Sequence, residues 1–127
     1  MIRNFRFHKF TQGTHTIALN VADTGTVDVN SGNLIHMDAG VPTELATATV
    51  EGVKKYLVAE DFTTEDPHIV LYVLTDDHML RGTCDATCEE GTEYEVNDGA
   101  ITTGTTNPQV KIVEKLDDTT AVFEVLN

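Results

Sequence analysis

The sequence predicts an all-β protein: a small β-sandwich or barrel-like domain with an extended N-terminal arm and at most one short helix. Three observations predict it. Thr (20) and Val (14) supply more than a quarter of the 127 residues, and both are β-branched residues that suit a pleated, half-buried surface. No long segment keeps apolar residues at the i, i+3, i+4, i+7 spacing of an amphipathic helix. Short apolar runs are instead broken by turn residues at roughly 8–12 residue intervals, the rhythm of a small sandwich or barrel.

The elements follow in order. Residues 16–21 (Thr-Ile-Ala-Leu-Asn-Val) alternate ahead of Asp23-Thr24-Gly25, which reads as strand then turn. Thr26-Val27-Asp28-Val29 alternates ahead of Asn30-Ser31-Gly32, and Leu34-Ile35-His36-Met37 precedes Asp38-Ala39-Gly40. The best helical candidate is residues 44–49, after Pro42-Thr43, where Thr43 would be the N-cap. Residues 55–59 form a strand before an acidic loop ending at Pro67. Ile69 to Leu74 is an unbroken apolar run of six residues, the pattern of a buried strand. It ends at Asp76-Asp77, and Met79-Leu80-Arg81-Gly82 continues outward. Two hairpins close the chain. Residues 93–96 and 100–102 flank Asn97-Asp98-Gly99, whose turn residues tolerate positive φ. Residues 110–115 and 120–125 flank Asp117-Asp118. Pro108 falls between strands, where its missing N–H does least harm.

Charge divides the chain unevenly. The first 22 residues hold Arg3, Arg6 and Lys9 and no acid; the rest hold five cations against 21 acids, for a net charge of −13. The expected organisation is a basic, aromatic arm and first strand over residues 1–22, then an acidic β-domain over residues 23–127. Phe5, Phe7 and Phe10 in the arm are three of only eight aromatic residues. In an extended chain Phe5 and Phe7 share one face and Arg6 takes the other. Two readings follow. The phenylalanines enter the protein's own core as a first strand, or the arm lays them into a partner's groove by strand addition.

Several function classes are disfavoured. An acidic body repels nucleic-acid phosphates. No run approaches the ~20 apolar residues that cross a bilayer, and the basic start lacks the apolar stretch of a secretory signal. No Gly-rich phosphate loop or nucleophile elbow occurs, and the one serine, Ser31, lies in a turn. Pairing Cys84 or Cys88 with His78 lacks an activating environment, since Glu89 and Glu90 oppose a thiolate. Asp76-Asp77 and Asp117-Asp118 read as solvated turns, because neighbours on a strand face opposite ways. Asp28-x-Asn30-x-Gly32 begins like a calcium loop but has Ala39 at its twelfth position. No catalytic residue and no metal or cofactor site is expected. Cys84 and Cys88 have no second cysteine pair with which to form a zinc site. They read as a disulfide within the loop, a disulfide between subunits, or two small side chains.

A longer pattern runs through the second half: Ile69 to Leu74, Met79-Leu80-Arg81-Gly82, Glu90-Gly91-Thr92-Glu93-Tyr94-Glu95-Val96, Asn97-Asp98-Gly99-Ala100-Ile101-Thr102-Thr103, Val110-Lys111-Ile112-Val113-Glu114, and Ala121 to Val125. With Val29-Asn30-Ser31-Gly32-Asn33-Leu34-Ile35 before it, the stretch 27–126 resembles the capsid decoration (cement, or head-stabilising) proteins of tailed bacteriophages. The basic Phe-rich start and the Cys84-Asp85-Ala86-Thr87-Cys88 loop have no counterpart in that pattern.

The resemblance implies a structural virion protein, not an enzyme, that binds the outer surface of an assembled phage head and stabilises it. The implied partners are the major capsid protein lattice and sister copies in a trimer or dimer, with no nucleic acid and no membrane. Under this reading Arg3, Arg6 and Lys9 make salt-sensitive contacts while Phe5, Phe7 and Phe10 are buried against the partner. Cys84 and Cys88 would then be a staple within the loop or between neighbours. The alternative is another virion surface module, a head-fibre base or a carbohydrate-binding β-domain; with no Trp and three Tyr it has few rings for sugar stacking.

Overall fold

A computed structural model of the chain describes residues 5–8, 15–75 and 78–127. Among the described residues are twelve strands: β1 (Arg6–Phe7), β2 (Thr16–Asn20), β3 (Leu34–Asp38), β4 (Val41–Glu44), β5 (Tyr56–Val58), β6 (His68–Val73), β7 (Leu80–Thr83), β8 (Glu93–Tyr94), β9 (Val96–Asn97), β10 (Ala100–Ile101), β11 (Val110–Asp117) and β12 (Thr120–Val125). They build two five-stranded antiparallel sheets, with the orders β1-β7-β12-β11-β8 and β2-β6-β5-β3-β4, plus the small β9–β10 hairpin. The expected all-β fold is therefore present, in the form of a sandwich.

One apolar cluster lies between the sheets. Phe5, Leu80, Ile112, Ala121 and Phe123 come from the first sheet or its flank, and Leu34, Leu57 and Leu74 from the second. A second cluster sits on the opposite side of the second sheet, built from Ile35, Tyr56, Val58, Ile69 and Leu71 with Val21 and Val29. Strands β3, β5 and β6 thus bury both faces, which explains why β6 reads as a continuous apolar run rather than an alternating one.

That second cluster accounts for one departure from expectation. Residues 26–29 do not form a strand: Thr24–Thr26 is a single 3-10 turn capped by the Asp23 carboxylate, which accepts from Gly25 N. Val27 and Val29 instead cover the apolar face of the second sheet. Their alternation reports which side chains are buried, and says nothing of a hydrogen-bonding neighbour.

The short helix expected over residues 44–49 is absent as well. Thr43 lies inside β4, opposite His36, and Glu44 pairs with Ile35. Leu45 is buried, and its N–H donates to Leu34 O at 3.1 Å. The chain then closes a tight turn in which Thr49 N donates to Ala46 O (3.0 Å) and Ala46 N donates to the Thr49 hydroxyl (2.9 Å). Burial of Leu45 against the sheet overrides a weak local helical preference.

The strand expected over residues 93–96 is split at Glu95, where the chain leaves the first sheet for the small hairpin. Glu95 N donates to Gly104 O (2.8 Å), and the buried Glu95 carboxylate accepts from Asn107 N (2.9 Å). The hairpin turn at Asn97-Asp98-Gly99 forms as expected, with Asp98 (φ 51°) and Gly99 (φ 70°) both left-handed. Strands β11 and β12 form the final hairpin, opened by two bulges at Val113 and Leu116. Each bulge adds a residue without a cross-strand partner and turns it outward. Val113 and Leu116 are 42% and 40% exposed.

Candidate functional surface

Within residues 1–22 the described residues supply two strands, β1 and β2. β1 is the edge strand of one sheet and β2 the edge strand of the other. Phe5, which the sequence left open between its own core and a partner's groove, is 3% exposed and lies in the core between the sheets. Its ring meets Phe123 edge-on at 5.2 Å between centroids, and its N–H donates to Gly32 O at 2.7 Å. Phe7 is half-buried and packs edge-on against Tyr72 (5.1 Å) and His78 (5.6 Å). For Phe5 and Phe7 the structure has the first of the two readings, a strand serving its own core. The reason is energetic: two rings gain more from a preformed apolar cluster in the same chain than from water.

Arg6 between them is exposed, and its register partner is Arg81 on β7. Arg3, Lys9, Phe10, Asp76 and Asp77 lie outside the described residues.

Cys84 and Cys88 are free thiols, both buried. Within the chain they are not joined to each other, as in the reading of two small side chains. Cys84 N donates to Thr119 O, and Cys88 Sγ donates to Thr102 O at 3.4 Å. Burial pushes both thiols above their usual titration range. Lys115 spans this region, donating to the carbonyls of Ala86, Cys88 and Asp118. The loop is a packed, hydrogen-bonded closure of the sandwich, and its thiols are poor nucleophiles.

Sequence reasoning missed Lys55. It is fully buried, with Nζ donating to Val53 O (2.8 Å) and to Leu126 O. Burial lowers its pKa to about 8, only partly opposed by Glu51. Its N–H donates to Asn127 Oδ1 (3.0 Å), so Lys55 fastens the segment after β12 to the start of β5. No periodic signal marks it, because a lysine before an apolar strand reads as a solvated flank.

Depressions in the surface are shallow. One of about 230 Å³ runs beside β1 and is lined by Phe5, Arg6, Phe7, Gly32, Leu57 and Tyr72 among others. Another, of about 210 Å³, is rimmed by Glu60, Asp61, Asp66 and His68. Glu44 lies in a third, beside Asp28; burial raises its pKa, and Asp98 and Asp28 raise it further. Among the described residues no group of three or more His, Cys, Asp or Glu could hold a metal ion. Nor is any described helix long and apolar enough to cross a membrane.

No protein-family model, no curated protein and no solved structure matches this chain.

Proposed function

We propose that the chain is a structural virion protein that binds the outer surface of an assembled phage head and stabilises it. The observation that carries this reading is the β11–β12 hairpin. Its sequence carries part of the resemblance to decoration proteins, and its two bulges turn Val113 and Leu116 to solvent on an otherwise acidic body. Bulges that re-aim apolar side chains at a sheet rim suit contact with another surface. The acidic remainder favours solubility at high copy number and disfavours adhesion to packaged nucleic acid. Repetition over a lattice makes a small contact collectively strong.

Phe5 is committed to the core, so in this reading the outer surface of the folded body supplies apolar contact through Val113 and Leu116, beside the exposed Arg6. The test is sedimentation of the chain with heads stripped of outer proteins, alongside unassembled capsid subunits and a glycan array. The expected result is saturable binding to heads alone, lost in the Val113→Asp, Leu116→Asp double variant while its circular dichroism is unchanged. Binding to glycans, or no preference for assembled heads, would sink the proposal.

A further inference from the structure

We propose that Arg6, His8 and Arg81 form an oxyanion-binding site on the outer face of the first sheet. Phe5 and Phe7 turn into the core, so Arg6 between them points out. Leu80 is fully buried and Gly82 lies under the Phe5 ring, so Arg81 between them points out as well. The register places Arg6 directly across from Arg81. The His8 N–H donates to Met79 O at 2.9 Å, which carries the β1–β7 ladder one residue further. Alternation then sets His8 diagonal to Arg81 on the same side.

Like charges directly opposite each other on a sheet are destabilising. This chain has 21 acidic residues to 8 Lys and Arg, yet among the described residues neither arginine is in an ion pair, the single one being His68 with Asp66. Glu124 is diagonal to Arg81 on β12, and Lys111 stands directly across from it. Two nitrogens of the group, Arg81 Nε and His8 Nδ1, are buried without a hydrogen-bond partner. Arg81 is directly across from Val122, which is 2% exposed although it sits on the outer side. A guanidinium whose Nε is covered has its stem fixed against the sheet, leaving the terminal nitrogens available as a planar fork.

Two forks and an imidazole at one sheet edge suit a carboxylate or phosphate group, which would offset the Arg–Arg repulsion through charge-assisted hydrogen bonds. The site does not rest on the capsid reading. It is read out on the isolated chain, whether or not heads are bound.

The experiment is a two-dimensional NMR titration of the full chain with inorganic phosphate, acetate and hexa-aspartate peptide in separate arms, at constant ionic strength against chloride. Saturable shifts are expected at Arg6 and Arg81 Nε–H and at the His8 ring. Arg6→Gln and Arg81→Gln should each weaken the phosphate arm about tenfold, the equivalent of one charge-assisted contact. Saturation by phosphate alone assigns a phosphate site, and saturation by acetate or peptide assigns a carboxylate site. If chloride reproduces the shifts, or both variants titrate like the parent, the site does not exist. The Phe123 ring resonances report whether each variant keeps the core; if Arg81→Gln loses it, Arg81→Lys, which keeps charge without the fork, is expected to weaken binding in its place.

Discussion

Phe5 and Phe123 meet edge-to-face with ring centroids 5.2 Å apart, and this contact joins residues from the two ends of the described chain in one core. The space for it exists because residue 82 is a glycine: a Cβ there would run into the Phe5 ring. Phe5→Ala should cost about 3–5 kcal/mol, the usual range for a buried phenylalanine. Gly82→Ala should cost about 1–3 kcal/mol by overpacking. The two effects should not add, because the alanine methyl fits once the ring is gone. Urea denaturation of both singles and the double tests this; strict additivity would mean that the ring does not lie over Gly82.

Lys55 makes stability rise with pH in the mildly alkaline range. Its pKa in the fold is about 8, against 10.5 when exposed. Between those values the unfolded chain holds a proton that the folded chain does not, so raising pH favours folding. Below pH 8 both states are protonated and the cost of burying the charge is fully present. The gain from pH 8 to 10.5 is up to about 3 kcal/mol. The two thiols, with raised pKa values, act in the opposite sense as pH climbs. The Lys55 effect is therefore read as the difference between the parent and Lys55→Met, which should lack the alkaline rise. Parallel pH profiles for the two would refute the assignment.

Glu44 behaves in the opposite sense to a paired carboxylate. Its pKa is raised in the fold, first by burial and then by Asp98 and Asp28. Its contribution is complete below the ordinary carboxylate range and is lost as pH rises through the folded value. Glu44→Gln should therefore raise the midpoint of thermal unfolding at pH 7 and give no gain at pH 3. A loss of stability at pH 7 would show that the charge is needed at that position.

Native Cys84 and Cys88 should resist alkylation. Both are buried with raised pKa values, so the attacking thiolate is scarce and covered. Iodoacetamide at pH 8 should label neither in the folded protein and both in guanidinium, as counted by mass spectrometry. Rapid native labelling, or a mass two units low from a disulfide, would contradict the free, buried thiols.

Much of the fold is legible in the sequence, for reasons that differ by element. The Ile69 to Leu74 run became β6 because burial on both faces leaves no alternation to misread. Asn97-Asp98-Gly99 became a hairpin turn because few other residues tolerate its φ values. Residues 26–29 misled because alternating valines can plug a sheet as readily as join one. Phe5 stayed open between two readings for a related reason. Period-two spacing says which residues share a face, and whose core receives them is decided by pairing with β7 over seventy residues away. The Arg6–Arg81 juxtaposition and the burial of Lys55 are likewise products of long-range register. Neither leaves a local trace.

The placement of β12 bears on how the protein is made. It lies at the centre of the first sheet, between β7 and β11, and it is the last strand in chain order. Until residues 120–125 have left the ribosome, β7 lacks one neighbour and the rings of Phe5 and Phe7 have an unfinished cavity to enter. The nascent chain thus carries an uncovered sticky front until that hairpin emerges. Chaperone demand in an expression host should consequently fall on the interval before the hairpin closes, and slowing translation upstream of β11 would lower the soluble yield.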